Sequence, residues 1–126
     1  MNSRLLVAHS DEELLSIYQS FFWDKGFEVE VAANVEECLV TLPEFEPDLL
    51  LIEHELRGGG SDRVISFLRD YEPKYVPSVV LLSNHRQLSD LEMFVNPPIY
   101  ACLKMPVSHY KVLEAVCNLG GLQFVE

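Results

Sequence analysis

The stretch PDLLLIEHEL, Pro47 to Leu56, sets an unbroken apolar run, Leu49 to Ile52, between Asp48 and the acids Glu53 and Glu55, with His54 between them. A short run without polar alternation, bounded by charged residues, is the pattern of a central strand covered on both faces. Such a strand needs helices above and below it, and the flanking chain supplies them. Upstream, Arg4 to Ala8 is a second short apolar run and reads as a buried strand. Ser10 and Glu13 then have the spacing of a capping box, opening a helix that runs to about Lys25 and closes at Gly26. FEVEVA, Phe27 to Ala32, alternates apolar and acidic residues, as a strand near a sheet edge does. Asn34, with Glu37 three residues on, starts a second helix whose stripe is Val35, Cys38, Leu39 and Leu42, with Pro43 as its expected stop.

Downstream, RGGGSD, Arg57 to Asp62, is a flexible loop before a third helix through Val64, Ile65 and Leu68. Val79 to Leu82 forms a fourth strand, Leu88 to Val95 a short fourth helix broken by Asn96-Pro97-Pro98, and Tyr100 to Leu103 a fifth strand. Ser108 caps a final helix through Val112, Leu113 and Val116, ending near Gly120. Strand and helix alternating five times over imply an α/β three-layer sandwich with a parallel sheet. At 126 residues with 48% hydrophobic residues, the chain fills one core and is short for two, so residues 1–126 read as a single domain.

A formal net charge of −11 argues against a surface that tracks nucleic-acid phosphates, because such surfaces gather Lys and Arg. The nine Lys and Arg are instead scattered. No run of eighteen apolar residues suggests a membrane span, and MNSRLLVAHSDEE turns acidic too soon for a secretory signal. Cys38, Cys102 and Cys117 are odd in number and widely spaced, which fits buried, reduced thiols and a cytoplasmic setting.

In an open parallel sheet, residues just beyond the carboxyl ends of the strands line one crevice. That rule gathers His9, Ser10 and Asp11 after the first strand, Glu53, His54 and Glu55 after the third, Ser83 after the fourth and Lys104 after the fifth. His9, His54 and His85, with Glu53 and Asp11, also offer ligands of the kind Zn²⁺ takes, though adjacent Glu53 and His54 would point to opposite sides of a continuing strand. A nucleotide or flavin phosphate is poorly served by HSDEE, which places three acids where phosphate needs free backbone N–H groups. No Gly-x-Ser-x-Gly elbow supports a hydrolase. Helical stepping puts Leu14, Tyr18, Phe21 and Phe22 on one face and Trp23 nearly opposite, so Trp23 is a candidate partner anchor unless it folds back over Phe27.

RLLVAHSDEELLSIYQSFFWDKGFEVEVAANVEECL, PDLLLIEHEL, VPSVVLLS and CLKMP, in that order and spacing, resemble the receiver domains of two-component response regulators over nearly the whole chain. The resemblance implies a flavodoxin-like (βα)5 fold with strand order 2-1-3-4-5, a signalling role and no enzymatic activity of its own. It implies signalling partners such as a histidine kinase or an output protein. It also implies a possible homodimer contact through the face of the fourth helix, fifth strand and final helix, where Tyr100 is a second interface candidate. The family's phosphoacceptor Asp corresponds to Glu53, and its paired Mg²⁺-binding acids to His9 and Ser10, leaving Asp11 one position late.

Glu53 is longer than Asp by one methylene, which displaces its reactive oxygen by about 1 Å. In-line phosphoryl transfer tolerates such misplacement badly. Mg²⁺ prefers oxygen ligands in near-octahedral array, so a His–Ser pair is a poor site. The expectation is therefore a pseudo-receiver: weak or absent Mg²⁺ binding, no other cofactor, and a permanent Glu53 carboxylate near Ser83 and Lys104 partly imitating a phosphorylated Asp. The alternative is a working phosphoacceptor receiver. Ala101 stands where the family carries an aromatic rotor, and Met105 separates Lys104 from Pro106, which the family usually joins directly.

Overall fold

The computed structural model describes residues 3–71, 76–84, 98–118 and 123–125. Strands β1 (Arg4–Ala8), β2 (Glu28–Ala32), β3 (Leu49–Glu53), β4 (Ser78–Ser83), β5 (Ile99–Lys104) and β6 (Gln123–Val125) alternate with helices α1 (Glu12–Asp24), α2 (Val35–Phe45), α3 (Ser61–Tyr71) and α4 (His109–Cys117). The sheet is parallel in the order β2-β1-β3-β4-β5-β6, so the expected 2-1-3-4-5 arrangement is present with one strand added. The helix expected at Leu88 to Val95 and the residue His85 lie outside the described residues.

The apolar runs are explained by two cores, one on each face of the sheet. Leu6, Ala8, Leu50, Ile52, Leu81 and Cys102 pack under α2 and α3, while Leu5, Val7, Leu51, Val80, Leu82 and Leu103 pack under α1 and α4. Successive strand residues point to opposite faces, so a strand covered on both sides has no polar position to spare. All five residues of β3 are buried accordingly. β2 lies at the sheet edge and keeps Glu28 and Glu30 exposed, as its alternating sequence requires.

The β1–α1–β2, β2–α2–β3 and β3–α3–β4 connections share one hand, since α1 lies on one face of the sheet and α2 and α3 on the other while the strand order runs in opposite directions. The β5–α4–β6 connection has the opposite hand: it moves away from β4 as β3–α3–β4 moves away from β3, yet α4 shares the face of α1. Parallel crossovers are right-handed in about 98% of cases. This rare geometry, and the shortness of GLQFVE, explain why β6 had no clear signal in the sequence. β6 pairs Ala101, Cys102 and Leu103 with Gln123, Phe124 and Val125, which covers the outer edge of β5.

Three local expectations are corrected. The N-cap of α1 is Asp11, not Ser10: its carboxylate accepts from the N–H groups of Glu13 and Leu14 at 3.0 and 3.2 Å, and an anion suits the positive end of the helix better than a hydroxyl. Pro43 does not stop α2. It lies in the last turn, Phe45 beyond it packs on the core, and the helix closes at Glu46, whose φ of 50° is left-handed and whose N–H donates to the Leu42 carbonyl. Cys117 is exposed, because the buried stripe of α4 is Val112, Ala115 and Val116 and the next residue turns away. Cys38 and Cys102 are buried as expected.

The RGGGSD loop brings the chain back tightly. Gly58, Gly59 and Gly60 all have positive φ, and a Cβ on Gly58 would come within 3.2 Å of Val35 Cβ. The loop can therefore lie against α2, where the Val35 N–H donates to the Arg57 carbonyl at 2.8 Å.

Candidate functional site

All six described strands deliver their carboxyl ends to one side of the molecule, and four of them carry the residues singled out from the sequence. After β1, His9 is 7% exposed, and its backbone N–H donates to Ala32. Its Nδ1 accepts from the Asp11 N–H at 3.0 Å, which places the ring proton on Nε2 in the neutral tautomer. That Nε2 stands 3.7 Å from Glu53 Oε2. Asp11 is exposed, with its carboxylate oxygen committed to capping α1.

Ser10 ties two loops together. Its N–H donates to Glu53 Oε1 at 2.9 Å, while its Oγ accepts from the Arg57 N–H at 2.8 Å. Glu53 itself is only 7% exposed, so its carboxylate lies on the β1 side of the crevice against a backbone donor and an imidazole edge. The sequence had no signal for the Ser10–Arg57 contact, since it spans 47 residues. Only the close approach of the glycine loop permits it.

On the β4 side stands a second carboxylate. Ser83, fully buried, donates its hydroxyl to Glu55 Oε2 at 3.0 Å, and the Asn84 N–H donates to Glu55 Oε1 at 3.2 Å. The carboxylate on the Ser83 hydroxyl is thus that of Glu55, whereas the sequence had pointed to Glu53 for this role. A turn begins immediately after β3, so Glu55 does not follow the strand's alternation and swings across to β4. Its negative charge is felt inside the sheet: burial first, and the Glu55 charge second, push the Cys102 thiol up to about 11.

His54 donates its backbone N–H to Leu82, and its Nδ1 lies 3.1 Å from Ser61 Oγ. Lys104, half-buried, is in register with Ser83, and the Met105–Pro106 peptide beyond it is cis. Ala101 is buried under α1 and α4, whereas its neighbour Tyr100 lines a groove with Leu68, Arg69, Pro77 and Pro98 on the α3 side. Tyr100 therefore cannot substitute for a rotor at position 101. Trp23 is 63% exposed on α1, and Phe27 packs edge-on against Phe22 at 5.5 Å.

No protein-family model matches the chain, and no curated protein sequence matches it. Solved structures do. A signal receiver domain of a response regulator from Bermanella marisrubri superposes with a TM-score of 0.83 at 20% identity, covering 94% of this chain and 98% of its own. The fold is that of the receiver domains. A chemotaxis response regulator of Vibrio cholerae, at 15% identity, also has a TM-score of 0.83 and covers 95% of this chain and 100% of its own. A response regulator protein from Burkholderia pseudomallei, with a phosphorylated aspartic acid, calcium ion and citrate, has a TM-score of 0.79 at 17% identity over 91% of this chain and 66% of its own.

Receiver resemblance implies a Mg²⁺ beside the position of Glu53, and the donors present do not fit it. His9 offers a protonated nitrogen edge, Ser10 turns its N–H and Oγ to Glu53 and Arg57, and Asp11 gives Oδ1 to the helix cap. A hard cation that demands octahedral oxygens finds no pair of available carboxylates on the β1 side. Among the described residues, no three His, Cys, Asp or Glu groups gather to hold any metal ion; His85, which the Zn²⁺ reading also uses, lies outside them. Nor is any helix among them long and apolar enough to cross a membrane.

Proposed function

We propose that this single domain is a receiver-like protein-interaction module in signal transduction that works without being phosphorylated and without Mg²⁺. The observation that carries the reading is the position of Glu53. Its carboxylate is buried, hydrogen-bonded to the Ser10 N–H and set beside His9, on the side of the crevice where a phosphoacceptor would need an available oxygen and a metal. In-line transfer requires the reacting oxygen to be aligned and the developing charge to be neutralised by a cation. This donor set argues against both.

The partners implied are signalling proteins, a histidine kinase or an output protein, in a cytoplasmic setting, with no nucleic acid and no catalytic role. Trp23 supports such a role, because a large amphipathic side chain left exposed on an acidic chain is a natural anchor for a basic partner. A homodimer through the β5 face would have to accommodate β6 along its edge.

Incubation of the protein with acetyl phosphate and Mg²⁺, followed by intact mass measurement, tests the reading. The expected mass is unchanged. A gain of one phosphoryl group would establish instead a working phosphoacceptor.

A further inference from the structure

We infer that Glu55 is a built-in latch on β4: one carboxylate holds the Ser83 hydroxyl and the Asn84 backbone N–H together, fixing the exit of the strand in a single arrangement with no added group. The inference rests on reading this crevice as a signalling site, and it names what regulates it. Three features make the contact more than a surface hydrogen bond. The two oxygens of Glu55 are each assigned one donor, Oε2 to Ser83 and Oε1 to Asn84, so the carboxylate spans the last residue of the strand and the first residue after it. Bonds to an ionised acceptor are about twice as strong as neutral ones, and two from one group add geometric definition. Ser83 is 0% exposed, so the hydroxyl cannot exchange this partner for bulk water without moving the strand end.

The division of labour with Glu53 supports the same conclusion. Glu53 is held at β1 through Ser10, and Glu55 is held at β4 through Ser83 and Asn84. One chain thus presents two carboxylates to opposite sides of the crevice from positions two residues apart, the first buried and the second exposed at its own position. The exposed one is the one that can let go. Its release would unpin the chain at Asn84 while leaving the β1 side intact.

Amide hydrogen exchange read by NMR, on the full chain and on Glu55→Gln, Glu55→Asp and Glu53→Gln, tests the latch. An amide side chain has one acceptor oxygen in place of two, and Asp is short by one methylene. Exchange at Asn84 is expected to accelerate about tenfold in both Glu55 variants, the order expected for loss of one charge-assisted bond, while Ser10 is unchanged. In Glu53→Gln the pattern reverses. Equal Asn84 protection in wild type and both Glu55 variants would overturn the latch. Intact mass of the same samples after acetyl phosphate treatment reports separately on the phosphorylation-independent reading, because a phosphoryl gain there contradicts that reading whatever Asn84 does.

Discussion

Raising the pH from about 8 to about 11 is expected to remove about 2 to 3 kcal/mol of folding stability for each of Cys38 and Cys102. Burial pushes the Cys38 thiol up to about 12 from 9.0 and, with a smaller contribution from Glu55, the Cys102 thiol up to about 11. Both are acids whose folded form resists ionisation. Their contribution is therefore complete below about 9, where the unfolded thiols are protonated, and is lost as pH rises towards the folded values. Burial also raises the Tyr18 phenol, so this group acts in the same direction at the top of the range. Because typical domains have only about 5 to 15 kcal/mol in hand, the two thiols together can bring the protein close to unfolding. Urea midpoints measured across this range, in wild type and in a Cys38→Ala/Cys102→Ala variant, check the expectation. The variant should lose much less stability with pH, whatever its stability at pH 8. Parallel curves would mean that the thiols are not sealed in the core under α2 and α3.

A second large effect is a gain. The triple variant His9→Asp, Ser10→Asp, Glu53→Asp is expected to take one phosphoryl group from acetyl phosphate in a Mg²⁺-dependent manner, and Glu53→Asp alone is expected to take none. The shorter side chain at 53 loses its reach to the Ser10 N–H and returns an oxygen to the crevice. That alone leaves no cation to neutralise the developing charge. Asp at positions 9 and 10 supplies the oxygens Mg²⁺ prefers. The same change puts an acid at the buried position of His9, so the triple variant should be less stable than wild type without metal and regain stability as Mg²⁺ is added. Intact mass and thermal unfolding with and without Mg²⁺ read both halves. A folded triple variant that stays unmodified would locate the obstruction elsewhere, at Ala101 or the Met105 insertion.

Much of this architecture was legible in the chain because each signal had one physical meaning. Four apolar residues from Leu49 to Ile52, bounded by charges, match a short strand covered on both sides, and FEVEVA matches a strand with a wet face. The crevice followed from strand ends alone: His9 and Ser10 meet Glu53, Glu55 meets Ser83, and Lys104 is in register with Ser83.

What escaped was the assignment of partners within that crevice. Glu53 and Glu55 are equally acidic and nearly adjacent, and nothing in their neighbours reveals that a turn after Glu53 sends one to Ser10 and the other to Ser83. Asp11 and Ser10 compete for the same cap, and the contest is settled by Arg57, 47 residues away from Ser10. The local cost of proline predicts a stop at Pro43, whereas the packing of Phe45 beyond it holds the last turn in place. β6 depends on a crossover of unusual hand that no pattern of residues announces.

The most direct test of a crevice that works without phosphate is a crystal soaked in Mg²⁺ and beryllofluoride, which forms a phosphoryl-like adduct on an accessible acceptor carboxylate. The expected electron density keeps Glu53 on the Ser10 N–H and Glu55 on Ser83 and Asn84, with neither anion nor metal between them. Density for a fluoroberyllate bonded to Glu53 beside an octahedral magnesium would contradict it.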